Sequence, residues 1–135
     1  MLFTSGDRIV FTGDSVTDAG RGRPVGEGLW QGVGDGYVRT IDNILNVVYP
    51  DWRLWVSNTG TGGDTSRSLK KRWQEDVMNL KPDWVSLMIG INDIWRQFDT
   101  PTIPEQHVYP AEYRENLCEM LERTLPVVKG VILMS

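Results

Sequence analysis

The chain has 135 residues, of which 40% are hydrophobic and 24% charged, and its formal net charge is −4. That length and balance describe a single globular domain, residues 1–135, able to bury a real core. The negative charge speaks against nucleic acid or an anionic membrane as a partner, and no apolar run is long enough to span a bilayer.

In chain order, Ile9-Val10-Phe11 reads as a buried strand that stops at the polar turn Gly13-Asp14-Ser15. The segment from Gly20 to Gly36 holds seven glycines, with Arg21, Arg23, Trp30 and Gln31 among them, and is expected to be a long functional loop. Tyr37, Val38, Ile41, Ile44, Leu45 and Val48 recur at helical spacing, and Pro50 ends that helix. Trp52 to Val56 reads as a second strand closed by the turn from Asn58 to Thr65. Asp64 or Thr65 is expected to cap a helix carrying Leu69, Trp73, Val77 and Leu80. A third strand, Trp84 to Ile89, meets the turn Gly90-Ile91-Asn92-Asp93, and a Pro-containing loop spans 98–110. A helix from about Ala111 to Leu125 and a strand Val131–Met134 follow. Cys118, among Leu117, Met120 and Leu121, reads as a small buried hydrophobe, and a single cysteine excludes an internal disulfide. Lys70-Lys71-Arg72, flanked by Glu75 and Asp76, reads as a solvated helix face.

Regular strand–helix alternation predicts a parallel sheet with crossover helices on both faces. Three successive strands then end on the same edge, each in a turn rich in Gly, Asn, Asp, Ser or Thr. Ser15 offers a nucleophilic oxygen there, and backbone N–H groups with the Asn92 amide offer donors for an oxyanion. Each turn alone is ordinary turn chemistry; their coincidence is what points to acyl transfer.

These blocks resemble the SGNH hydrolases, or GDSL-type esterases. Gly13-Asp14-Ser15 is similar to the block bearing the nucleophile, whose N–H also serves the oxyanion hole. Asn58 through Ser66 resembles the second block, with Gly63 as the oxyanion glycine, and Gly90-Ile91-Asn92-Asp93 the third, with Asn92 as the side-chain donor. The resemblance implies a three-layer, flavodoxin-like α/β fold with strand order 2-1-3-4 and a fifth strand missing, and no cofactor. The longer string from Gly90 to Asp99 resembles a bacterial intracellular subgroup that includes acetylxylan esterases. It implies a small-molecule or oligosaccharide ester as substrate and a cytoplasmic location.

The family's Asp-x-x-His block has no counterpart in this sequence. The one histidine, His107, lies between Pro104 and Pro110 and reads as a surface or substrate-lining residue. The chain therefore looks truncated after its fourth strand; little esterase turnover is expected of it, and an uncovered last strand favours self-association. Asp14, which is expected to order its own turn, is with Trp95 and Arg96 a candidate for substrate contact; Trp30 and Arg23 are further wall candidates. No metal site is implied, since His, Cys and carboxylates do not cluster at ligand spacing. The rival readings are a different GDSL-type acylhydrolase, a structural or interaction fragment, and a non-catalytic flavodoxin-like domain whose Gly13–Gly20 turn holds an anion.

Overall fold

The computed structural model describes residues 2–134. Four parallel strands, β1 (Arg8–Gly13), β2 (Trp55–Asn58), β3 (Trp84–Met88) and β4 (Gly130–Met134), form one sheet in the order β2-β1-β3-β4, as expected. Gly13 pairs with Met88, and Met88 with Met134, so these strand ends lie in one row.

Both faces of the sheet are apolar, because alternate residues of β1 and β3 point to opposite sides. Ile9, Phe11, Val56 and Trp84 pack with Val38 of α2 (Tyr37–Val48). Val10, Val85 and Leu87 pack with Leu69 and Trp73 of α3 (Ser66–Asp76) and Met120 of α5 (Pro110–Thr124). Burying each such side chain stabilises the fold by ~1.5–3 kcal/mol. The Trp73 indole N–H donates to Thr124 Oγ1 at 3.0 Å, so the largest buried side chain also fixes α3 against α5.

Several local expectations are corrected. The second strand begins at Trp55, because Pro50–Trp52 forms a 3₁₀ turn in which Trp52 stacks on Tyr49 at 4.0 Å. Leu80 belongs to a separate 3₁₀ turn, Met78–Leu80, beyond α3. Cys118 is exposed: α5 turns Asn116, Met120 and Thr124 inward, which places position 118 outside. Ile44 and Val48 are 50% and 57% exposed, since it is the side of α2 bearing Tyr37, Val38, Ile41 and Leu45 that reaches the sheet. On the last strand, Ile132 and Leu133 are exposed as well.

The Gly20–Gly36 segment is a loop, but an anchored one. Arg21 is buried in it and donates to the carbonyls of Gly60 at 2.7 Å, Gly22 at 3.0 Å and Pro24 at 2.5 Å. Burial brings its pKa down to about 10, so it stays charged at neutral pH. Gly26 pairs antiparallel with Asn58 and closes part of the β2 edge.

Candidate active site

The site is assembled from three strand ends. β1 stops at Gly13, where a Cβ would stand 2.1 Å from the Met88 carbonyl oxygen, so only glycine lets the chain turn against β3. Asp14 caps the short helix α1 (Ser15–Asp18) by accepting from the Val16 N–H at 3.0 Å. Burial pushes the Asp14 pKa up, and nearby Asp64 adds to that, against the pull of the Val16 N–H. Ser15 is exposed, and its hydroxyl has no hydrogen-bond partner among the described residues.

The second turn is locked from within. Asn58 donates to Thr17 O at 2.6 Å and Val33 O at 2.8 Å, and accepts from the Gly60 N–H at 2.9 Å. Thr59 and Thr61 donate to the carbonyls of Phe11 and Gly13, Gly62 to Asp18 Oδ2 and Asp64 to Thr61 O. Thr65 bonds Ser68 in a capping box, and Ser66 donates to Asp93. Among the described residues, Gly63 alone in this run keeps a backbone N–H without a partner, and it is exposed with φ +83°. A polypeptide that satisfies every neighbouring N–H and leaves one facing solvent has a donor ready for an external acceptor.

The third turn begins at Gly90, and Asn92 and Asp93 form the first turn of α4 (Ile91–Asp99) rather than a loop. The Asn92 side-chain amide donates one hydrogen to Asp64 O at 2.9 Å and keeps its other. Asp93 is buried and accepts from the Ser66 N–H at 2.9 Å and its hydroxyl at 2.5 Å, while Asn116 donates to that hydroxyl at 3.1 Å. Burial raises the Asp93 pKa despite those bonds.

Arg72 is not part of a solvated face. It donates to Gly13 O at 3.1 Å, Thr59 O at 2.7 Å, Asp64 at 2.6 Å and Asp76 at 2.7 Å, bracing the first two turns against α3. Asp64 is therefore an ion-pair partner, and the cap is Thr65.

The GDSL-like lipase/acylhydrolase profile matches residues 11–134. The chain belongs to this family. It is 51% identical to the acetylxylan esterase of Geobacillus stearothermophilus over 135 residues, which is 100% of this chain and 62% of that relative. The crystal structure of that esterase superposes with a TM-score of 0.97, covering 99% of this chain and 61% of the other. An α/β hydrolase from the metagenome of Lake Arreo, Spain, is 50% identical with a TM-score of 0.95, over 98% of this chain and 62% of its own. The chain thus spans less than two thirds of the relatives it matches. The Geobacillus esterase has also been solved as catalytic variants that replace a serine at its position 15, an aspartate, or a histidine three residues beyond that aspartate.

In this GDSL-family chain the remaining candidates divide. His107 is buried rather than at the surface; its Nε2 bonds Thr100 O at 2.9 Å, and its ring meets Tyr109 edge-on. Arg23 is held by Asp18 at 2.6 Å, and Trp30 stands alone at a loop tip, fully out in solvent. Trp95 is exposed on α4, whereas Arg96, half-buried beside it, pairs with Asp99 at 2.5 Å and reaches toward Gly63. Gln97 is structural, donating to Asp93 O at 3.2 Å and Val108 O at 3.3 Å. The braces Arg72, Asp18, Asn58 and Asp93 escaped the sequence reading because their partners are mostly backbone atoms brought near only by the fold. No three metal-ligating side chains gather among the described residues, and no helix there is long and apolar enough to cross a membrane.

Proposed function

We propose that this chain carries the nucleophile and oxyanion hole of a serine ester hydrolase that removes O-acetyl groups from a carbohydrate such as an acetylated xylo-oligosaccharide. The observation that carries this reading is the unpartnered Gly63 N–H, set in the same strand-end cluster as the free Ser15 hydroxyl and the half-used Asn92 amide. Ser15 Oγ attacks the acetyl carbonyl carbon and gives its proton to a general base. The carbonyl oxygen takes the negative charge and is held by the N–H groups of Ser15 and Gly63 and the Asn92 amide. Collapse expels the sugar oxygen, which regains the proton, and water then releases acetate by the reverse sequence.

The base is assigned to residues outside this chain. His107 is turned to a backbone carbonyl, while the relative's catalytic aspartate–histidine pair supports such a base in the longer protein. The exposed, unpaired Cys118 suits a reducing, cytoplasmic compartment.

A fluorophosphonate probe on the full-length protein tests the nucleophile: labelling is expected at Ser15 and lost in Ser15→Ala. Acetyl-ester hydrolysis by residues 1–135 is expected to be far slower than by the full-length protein. Equal rates would return His107 to the role of base.

A further inference from the structure

The candidate oxyanion glycine opens onto a polar recess of about 390 Å³, between α3 and the Pro104–Gln106 turn, a volume within the roughly 300–1,000 Å³ of small-molecule sites. Its wall is fixed. Arg67 donates to Glu105 O at 2.6 Å and His107 O at 2.8 Å, and grips Glu112 at 2.5 and 2.7 Å. Arg96 is held through Nη1 by Asp99, which leaves its Nη2 3.5 Å from where a Gly63 Cβ would stand. Among the described residues the Lys71 ammonium and the Glu105 carboxylate, both exposed on this recess, have no partner. The Gln106 amide accepts from Thr100 at 3.3 Å through its oxygen, and its N–H groups remain available.

These free groups are donors and acceptors in mixture, with one unpaired charge of each sign. That lining suits a neutral molecule dense in hydroxyls better than an anion, which Glu105 opposes. A second hollow at the strand ends, lined by Val16, Met88, Ile91, Ile94 and Tyr113 with Asp14 as its one carboxylate, is mainly apolar by contrast. We propose that the polar recess is the subsite for the alcohol half of the ester, where Arg96, Lys71, Gln106 and Glu105 hydrogen-bond the hydroxyls of a sugar unit while its acetyl group reaches Ser15 past Gly63. This assignment rests on the esterase reading and gives it a direction: the sugar lies toward α3.

The test uses the full-length enzyme with Lys71→Met and Glu105→Gln, both at exposed side chains without partners. The readout is kcat/KM for an acetylated xylo-oligosaccharide divided by that for 4-nitrophenyl acetate, which has no sugar. Lys71→Met removes one net hydrogen bond, roughly a 5-fold fall in that ratio, and Glu105→Gln exchanges a charge-assisted bond for a neutral one, a smaller fall, both expressed in the sugar ester's KM. An unchanged ratio in both variants overturns the subsite. A ratio that falls for Lys71→Met but rises for Glu105→Gln also overturns it, and marks an anion site instead. Wild-type enzyme inert toward both esters removes the esterase reading itself, and this assignment with it.

Discussion

The side-chain amide of Asn92 donates to the backbone carbonyl of Asp64 at 2.9 Å, tying the third strand-end turn to the residue that follows Gly63. That bond fixes the amide plane and so the direction of its second hydrogen. In the full-length protein, Asn92→Ala is expected to lower kcat by ~10²–10³ with KM little changed, as for other oxyanion donors. Asn92→Asp is expected to be at least as damaging, because a carboxylate would face both the Asp64 carbonyl and the developing oxyanion. Steady-state kinetics on an acetyl ester decide it; a wild-type kcat in Asn92→Ala excludes the amide from the hole.

Two glycines in the site should respond differently to a methyl group. At Gly13 a Cβ meets the Met88 carbonyl oxygen at 2.1 Å and Thr17 Oγ1 at 2.7 Å, so β1 and β3 must separate. Gly13→Ala is expected to cost ~3 kcal/mol or more, or to prevent folding. At Gly63 the nearest atom is Arg96 Nη2 at 3.5 Å, leaving only the left-handed backbone to penalise alanine, by about 1–2 kcal/mol. Urea midpoints of the two variants provide the comparison, and equal losses would contradict it.

Arg72 donates to two turns and two carboxylates from a largely buried position. Removing it strands the Asp64 carboxylate and the Thr59 carbonyl together, while the Gly13 carbonyl keeps the Thr61 N–H. Arg72→Met is expected to destabilise by ~3–5 kcal/mol. Arg72→Lys should recover little, because one ammonium lacks the forked geometry that reaches all these oxygens. Thermal melts read the effect; a shift in Tm of only a degree or two would show that α3 alone holds the turns.

Two sets of carboxylates pull stability in opposite directions as pH falls. Asp18 is buried, which alone raises its pKa, but bonds from Arg23 and the Gly62 N–H and the charges of Arg23 and Arg21 bring it below the usual value. In Asp7 burial is likewise outweighed, by Lys129, the Thr4 N–H and Trp84. A lowered folded-state pKa contributes stability that is present above the unfolded value, about 4, and lost as pH falls through the folded one. Asp14 and Asp93, raised mainly by burial, have the reverse sign: the cost of ionising them is relieved as pH falls through their folded values toward the unfolded range. Urea midpoints are therefore expected to hold or rise slightly on mild acidification, then drop below about pH 4. Asp18→Asn should flatten that final drop; an unaltered acid limb would refute the assignment.

The sheet and its order were legible because each strand is a compact apolar run ended by a polar turn, and because the turns at Gly13, Gly63 and Asn92 match known blocks. Boundaries failed where a local contact competed with the apolar pattern. Tyr49 stacking on Trp52 drew that residue into a 3₁₀ turn, and Trp55 became the true strand start. The orientation of α5 was missed at Cys118, since Asn116 is pulled inward by a hydroxyl 50 positions away, on Ser66. Asp64 read as a helix cap until the fold brought Arg72 within 2.6 Å of it. No sequence spacing encodes that encounter.

The unpartnered N–H of Gly63 bears on how recognition and turnover are divided in this protein. On the esterase reading, an oxyanion arriving at that exposed donor displaces solvent and breaks nothing inside the chain. All of its neighbours are anchored by groups lying between Phe11 and Asp93. On that reading, affinity for a tetrahedral anion is set by this stretch, independently of whatever accepts the serine proton.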